Sequence, residues 1–147
     1  MLWNTQTYTG WGRALSAEGE LARPERAAAL AKLCTNPAIG ARRSYGDACL
    51  NSKGAAVDMT RLDCILSFDA ATGLVEAEAG IPVGELARLF APLGWIPTVM
   101  PGTGFATVGG CIAMDVHGKN HHVGGSFGSH VTAIKLMVAG KPKTITP

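Results

Sequence analysis

Two stretches of the chain carry apolar residues at the spacing of a helix. In the stretch IPVGELARLFAPLG the apolar residues fall on one face, and a glycine follows them: Val83, Leu86, Phe90, Leu93 and then Gly94. We therefore predict a helix whose apolar face packs against a sheet. Residues 23–33 have a proline in the opening turn and are filled with Ala and Leu, which predicts another helix.

Shorter apolar runs predict strands. GLVEAEAG alternates apolar and acidic residues as a half-exposed strand does. The other strand candidates are residues 38–41, GAAVDM, DCILSFD and HVTAIKLMVAG, and KTIT follows a tight AGKP turn as the hairpin partner of the last one. A short helix is predicted at residues 107–114, inside a long loop. Strands interleaved with helices indicate an α+β fold.

Composition narrows the class of protein. The chain has 147 residues, of which 47% are apolar and 16% charged, so we expect a folded core rather than disorder. A net charge of +2, with scattered Lys and Arg, does not suggest a nucleic-acid partner. Gly, Pro or charge interrupts every apolar stretch before the roughly 20 residues of a membrane span, and the N-terminus lacks the pattern of a signal peptide. The predicted location is the cytoplasm.

Glycine is the abnormal residue, with 19 copies against an average near 7%. Two loops are rich in glycine or in polar residues: ARRSYGD at residues 41–47 and PGTGFATVGG at residues 101–110. Neither fits the phosphate-binding pattern GxxxxGK[ST], and the second matches the dinucleotide fingerprint only in part. Loops rich in Gly, Ser and Thr present backbone N–H groups, which suits a pyrophosphate. Together they favour a cofactor site over plain turns.

All four histidines lie in HGKNHHVGGSFGSHV, residues 117–131. His117 and His121 have the spacing of a zinc pair on a helix, but the glycines between and after them would break a helix. No carboxylate or cysteine stands at ligand spacing, so we predict no metal site. For His121, His122 and His130 we predict hydrogen-bonded structural roles.

A resemblance to a known family runs along the whole chain. It is carried, in order, by TGWGR, RSYGD, DMTRL, PGT with TVGG, and DVHGKNHH with GSFGSHV. The chain resembles the PCMH-type FAD-binding domain of the vanillyl-alcohol oxidase family. Within that family it is most similar to the FAD-linked oxidoreductases of the decaprenylphosphoryl-ribose 2′-oxidase subgroup. The resemblance implies a two-lobed α+β domain with FAD in the cleft, the first lobe being about residues 1–95 and the second beginning in residues 96–147. It also implies that the domain is incomplete at its C-terminus and that the substrate domain is absent, so this chain alone is expected to be inactive.

The resemblance implies a cofactor-binding set. The first loop would wrap the pyrophosphate, with a methionine nearby: Gly40, Ala41, Arg42, Arg43, Ser44, Tyr45 and Met59. The second loop would hold the cofactor from the other side: Pro101, Gly102, Thr103, Ala106, Thr107, Gly109 and Gly110. The histidine segment would approach the flavin ring: Ala113, Val116, His117 and Gly118. Of these residues, His117 and Tyr45 are implied to be catalytic.

Two arginines of the first loop set the expected mode of binding. In many relatives a histidine of this loop is joined covalently to the flavin, and the matching position here is Arg43. The resemblance therefore implies non-covalent FAD. Relatives of the subgroup tend to have glycine where this chain has Arg42, and an arginine there would either pair with the phosphates or crowd the turn.

The implied function is that of an FAD-dependent oxidoreductase, which oxidises a secondary alcohol of a sugar or polyol by hydride transfer to the flavin. The implied substrate is a small-molecule or lipid-linked sugar, with a partner reductase for epimerisation and the membrane surface as an alternative location. An aldonolactone or alditol oxidase-type enzyme is the alternative within the family. Outside it, the alternatives are a flavin- or nucleotide-binding module without catalysis and a zinc protein built on His117 and His121.

Overall fold

A β-hairpin that the sequence patterns did not predict begins the computed structural model, which describes residues 3–147. Strand β1 (Trp3–Thr9) pairs antiparallel with strand β2 (Ser16–Ala22). The buried positions of β2 include Ala17, Gly19 and Leu21, so they alternate as a strand requires. Because two of these three residues are small, the sequence does not show a clear alternation of large apolar and polar residues.

The hairpin extends into a four-stranded mixed sheet. Strand β4 (Ala55–Asp58) pairs parallel with β2 on one side and with the two-residue strand β3 (Ala38–Ile39) on the other, giving the order β1-β2-β4-β3. The strands predicted near residues 38–41 and in GAAVDM are thus confirmed. One face of the sheet buries an apolar cluster: Tyr8, Ala17, Leu21, Ile39, Cys49 and Ala56.

The helix predicted over residues 23–33 is wrong in type and extent. The chain forms a 3-10 helix at Ala27–Lys32 that buries none of its own residues. An alanine-rich segment has helical propensity but little apolar surface to bury, and packing provides most of a short helix's stability. The anchoring contact is made by Leu33, which is 2% exposed and packs against Ala22 and Val57.

The second predicted helix is confirmed, and it covers a separate hairpin. Strands β5 (Ile65–Asp69) and β6 (Leu74–Ala77) pair antiparallel, and helix α1 (Val83–Phe90) buries Val83, Leu86 and Phe90. The rings of Phe68 and Phe90 stack with centroids 4.2 Å apart. Leu93 was predicted on the same face but is 60% exposed. The reason is that the chain tightens into a 3-10 turn at Ala91–Leu93, where the helical period changes.

The remaining elements are short. Helix α2 (Val108–Ala113) confirms the helix predicted at residues 107–114, and helix α3 (His121–Gly124) is a single turn followed by a 3-10 turn at Phe127–His130. Strands β7 (Ile134–Val138) and β8 (Lys141–Ile145) form the predicted hairpin. Within residues 3–147, no helix has the length and apolar character needed to cross a membrane.

Long-range contacts join the early and late parts of the chain. Lys135 on β7 forms an ion pair with Glu76 on β6, and the N–H of Gly140 lies 3.2 Å from Sγ of Cys34. The fold is therefore a mixture of helix and sheet in which the last hairpin contacts the earlier part of the chain. The division into lobes near residue 95 stays a prediction.

The packing of α1 predicts a contrast between two leucines of the same helix. Leu86 is 5% exposed in the apolar cluster, whereas Leu89 is 41% exposed. Leu86→Ala should lower the free energy of unfolding by about 2–5 kcal/mol because it leaves a cavity. Leu89→Ala should change it by roughly 0.5 kcal/mol or less. Urea denaturation measures both, and equal effects would contradict the packing described for α1.

Candidate functional site

The first loop leaves its backbone donors free. Within residues 3–147, no hydrogen bond is donated by the backbone N–H groups of residues 41–46. Arg42 has a φ of 55°, in the left-handed region that glycine adopts most readily, which agrees with the glycine expected there in relatives. Its guanidinium lies 6.0 Å from the ring of Tyr8, so this side chain is turned toward the sheet. Successive free N–H groups around a left-handed residue form a concavity that suits an anion.

The loop between β1 and β2 packs against the backbone of the first loop. The N–H of Trp11 donates to the carbonyl oxygen of Ser44 at 3.0 Å. A Cβ added at Gly10 would lie 3.0 Å from that same oxygen, and one added at Gly12 would lie 3.2 Å from the carbonyl oxygen of Tyr45. The glycines of TGWGR therefore let two backbones touch.

One contact between the two loops joins Gly40, the residue directly before the first loop, to Thr107 of the second loop. A Cβ at Gly40 would collide with the side chain of Thr107, which is 3% exposed. Thr107 also begins helix α2, because its Oγ1 accepts the N–H of Gly110 at 3.4 Å. This contact brings the two glycine loops together, as their predicted common role requires.

Arg43 connects three loops. Its Cζ lies 5.0 Å from the ring centroid of Trp11 and 5.3 Å from that of Phe105, so a residue from each neighbouring loop covers the guanidinium. Its Nε is buried and has no hydrogen-bond partner among the described residues. A buried donor without an acceptor costs about 1–3 kcal/mol, so this N–H indicates a place for an oxygen atom of a ligand.

The two ends of the second loop differ in what they can offer a ligand. The backbone N–H groups of residues 102–104 donate no hydrogen bond within the described part of the chain, and a Cβ at Gly102 would meet only open space. The N–H of Gly109 instead donates to the carbonyl oxygen of Ala79 at 2.8 Å, and a Cβ there would lie 2.9 Å from the Cβ of Ala79. Packing alone thus accounts for Gly109, and its role toward a cofactor stays a prediction.

The histidine segment lies against the residues that precede the second loop. A Cβ at Gly118 would be 2.6 Å from the carbonyl oxygen of Met100, and Nδ2 of Asn120 donates to the carbonyl oxygen of Thr98 at 3.0 Å. His117 is exposed, and its backbone forms a bridge with Ser126. The backbone at His117 is therefore fixed while its imidazole remains accessible.

Asp115 closes the loop that carries His117. Its Oδ1 accepts the N–H of Gly128 at 2.8 Å, and its backbone has a φ of 41°. A Cβ at Gly128 would lie 2.8 Å from the same oxygen, so a larger residue there would displace the carboxylate from this contact. The Gly128 N–H and, after it, the Ser126 side chain hold the pKa of Asp115 below its ordinary value. Asp115 is consequently a carboxylate at neutral pH.

The other histidines have mainly structural contacts. Nδ1 of His121 lies 3.2 Å from the carbonyl oxygen of Gly118, and Nε2 of His130 lies 2.7 Å from that of Gly124. Both residues are thus hydrogen-bonded as predicted, whereas the side chain of His122 has no hydrogen bond among residues 3–147. The rings of His117 and His121 approach with centroids 5.3 Å apart, and His122 meets the edge of His121. Across residues 3–147, no group of three or more His, Cys, Asp or Glu side chains could hold a metal ion.

Not every predicted site residue joins this surface. Met59 packs against the apolar cluster of Ala22, Leu33 and Val57. Tyr45 is 81% exposed, and in the described residues it makes neither a hydrogen bond nor a ring contact with His117. A joint catalytic role of Tyr45 and His117 stays a prediction.

Sequence reasoning missed three residues of the surface: Trp11, Phe105 and Asp115. Trp11 and Phe105 are large aromatics inside glycine-rich loops, where an apolar side chain has little core to enter. Large apolar residues in such loops are unusual, and this could have identified the two aromatics as candidate site residues from the sequence. Asp115 had no comparable signal, since an acidic residue after a short helix is ordinary.

Comparisons with known proteins identify the family to which the chain belongs. Residues 18–141 match the family described as FAD binding domain. The chain is 38% identical over 154 residues to decaprenylphosphoryl-beta-D-ribose oxidase of Mycolicibacterium smegmatis, covering 97% of this chain and 33% of that protein. It is 29% identical over 125 residues to D-lactate dehydrogenase of Anaerostipes hadrus, covering 81% of this chain and 26% of that protein. The chain thus spans a third or less of the length of these relatives.

The Asp115 contact predicts a pH dependence. Its folded pKa is lowered, so its contribution to stability is present above the unfolded value of about 3.9 and is lost as the pH falls through the folded pKa. The chemical shift of the Gly128 amide proton should change with pH with a midpoint below the unfolded value of about 3.9. An NMR titration measures this shift, and Asp115→Asn should abolish its pH dependence. A midpoint at or above about 3.9 would show that the carboxylate does not hold Gly128.

Proposed function

The chain belongs to the FAD-binding domain family, and on that premise we propose that it is the cofactor-binding part of an oxidoreductase acting on a secondary alcohol of a sugar or polyol. FAD is the cofactor of this domain. The observation that carries the proposal is the 38% identity, over nearly the whole chain, to an oxidase named for decaprenylphosphoryl-ribose. On the basis of the same similarity we propose a lipid-linked substrate, a partner reductase and a cytoplasmic location.

The residues of the first loop fit an FAD molecule. The free N–H groups of residues 41–46 can donate to phosphate oxygens, and the unpartnered Nε of Arg43 can donate to another oxygen of the cofactor. A Cβ at Gly102 would meet only open space, so the chain leaves room for a ligand beside this residue. When bound, FAD supplies the acceptor for the hydride that the alcohol carbon loses.

His117 is the residue we propose beside the reacting atoms. Its backbone is held by the bridge to Ser126, its imidazole is exposed, and the resemblance implies that this segment approaches the flavin. An imidazole in that position can stabilise negative charge at the cofactor or orient the substrate hydroxyl. Tyr45 is exposed on the first loop, and we propose that its hydroxyl donates a hydrogen bond to the cofactor or the substrate.

Reduction of the flavin by substrate tests this function. In the full-length holoprotein, which includes the substrate domain that this chain is expected to lack, anaerobic mixing with a polyprenylphosphoryl ribose should bleach the flavin absorbance, and D-lactate, suggested by the second relative, should do so far more slowly. His117→Ala should keep most of its FAD but lower the reduction rate by about 10²–10³, the usual loss for one preorganised donor. Stopped-flow absorbance measures both quantities.

His121→Ala is the matched control within the same segment. The ring of His121 contacts the carbonyl oxygen of Gly118, so its loss should lower stability and leave the reduction rate close to that of the wild type. If His121→Ala reduced slowly while His117→Ala did not, the assignment of His117 would be wrong. Faster reduction by D-lactate than by the ribose compound would instead favour a 2-hydroxy acid as substrate.

We also propose that FAD is held without a covalent bond, because Arg43 occupies the position of the tethering histidine and a guanidinium does not form that bond. Precipitating the holoprotein with acid should release all the yellow colour into the supernatant as FAD. Chromatography of the supernatant measures the released flavin. Colour that stays with the precipitated chain would show a covalent attachment.

A further inference from the structure

Two aromatic side chains outside the proposed cofactor set cover the same guanidinium. Trp11 comes from the β1–β2 loop and Phe105 from the second glycine loop, and Cζ of Arg43 lies 5.0 Å and 5.3 Å from their ring centroids. Within residues 3–147, Arg43 forms no ion pair with an acidic residue. Its charge is therefore met by aromatic faces and not by a carboxylate.

The exposure of these aromatics also needs a cause. Trp11 is 53% exposed and Phe105 is 65% exposed, so neither contributes a fully buried side chain to the core. A guanidinium stacked on aromatic faces is held in one orientation, because its flat surfaces take the apolar contacts and its edge keeps the N–H donors. In Arg43 that arrangement leaves the Nε–H buried without an acceptor.

We propose that Trp11, Arg43 and Phe105 form an aromatic clamp, which joins three loops and directs the Arg43 Nε–H to an oxygen of bound FAD. Trp11 and Phe105 are then positioning residues: they act on the cofactor through Arg43. The backbone N–H of Trp11 also donates to the carbonyl oxygen of Ser44. The residue that supplies one face of the clamp is therefore attached to the first loop, whose backbone donors are free. This inference rests on FAD binding and does not depend on which alcohol is oxidised.

The test is FAD affinity, measured on apoprotein prepared from the full-length holoprotein. Titration followed by flavin fluorescence gives Kd, and the melting temperature is recorded with and without saturating FAD. Arg43→Met should weaken FAD binding by about ten- to a hundredfold, the loss of one hydrogen bond from a charged donor. Arg43→Lys should also weaken binding, because it keeps the charge but lacks Nε. Trp11→Leu should weaken FAD binding by about three- to thirtyfold, and Trp11→Phe should restore most of that loss.

Two control variants separate a positioning role from a structural one. Trp95 donates its Nε1–H to the carbonyl oxygen of Ala70 at 3.2 Å, away from the clamp, so Trp95→Leu should lower the melting temperature of the apoprotein and leave Kd unchanged. Arg88 pairs with Glu85 on α1, and Arg88→Met should change neither Kd nor the effect of FAD on melting. The clamp variants should show the opposite pattern, with little change in the apoprotein and a smaller FAD-induced shift.

Several outcomes would overturn the clamp. Wild-type affinity in Arg43→Lys would refute donation by Nε, and affinity within twofold of wild type in Arg43→Met would refute any role of Arg43 toward FAD. If Arg43→Met does not fold, Arg43→Lys and the two Trp11 variants decide. A loss of affinity in Trp11→Leu no larger than in Trp95→Leu would make Trp11 merely structural.

The clamp and the proposed function can fail separately. If the protein binds FAD and the variants differ in Kd as expected, but the protein does not oxidise a sugar, only the proposed function is contradicted.

Discussion

The close contact between Gly40 and Thr107 determines how the two glycine loops meet. Thr107 is buried, begins α2 by accepting the N–H of Gly110, and leaves no room for a Cβ at Gly40. Each loop is otherwise attached to a different part of the chain, the first to β3 and the second to the start of α1 through the carbonyl oxygens of Ala106 and Gly104. This contact and the stacking of Phe105 on Arg43 hold the two loops against each other.

Hydrogen bonding divides this surface into a scaffold and a part available to a ligand. Around α2 and the histidine segment, backbone N–H groups such as those of Gly109, Val116 and Gly128 donate to protein acceptors. In residues 41–46 they do not, and the Nε of Arg43 is also unpartnered. The N–H groups of residues 41–46 are therefore available to solvent or to a ligand. Residues 18–141 match an FAD-binding family, so we propose that FAD is the ligand of these donors.

Sequence patterns succeeded where one element buried its own apolar residues. Helix α1 was recognised because Leu86 and Phe90 occupy one face, and the β7–β8 hairpin because apolar residues precede a tight turn. They failed where partners far along the chain decided the outcome. Residues 23–33 have helical propensity but form only a 3-10 helix, and the small Ala17 gives β2 a weak pattern although it is 1% exposed.

The sequence by itself determined the family, the two glycine loops and the segment in which the accessible histidine lies, because each depends on residues that are neighbours along the chain. Only the tertiary structure decided that Gly109 packs on Ala79, that Arg43 lies between Trp11 and Phe105, and that residues 41–46 keep their donors free. Each of those facts is a contact, or the lack of one, between residues dozens of positions apart. Local periodicity and composition carry no information about which distant backbone will arrive beside a given residue, so folding alone sets these contacts.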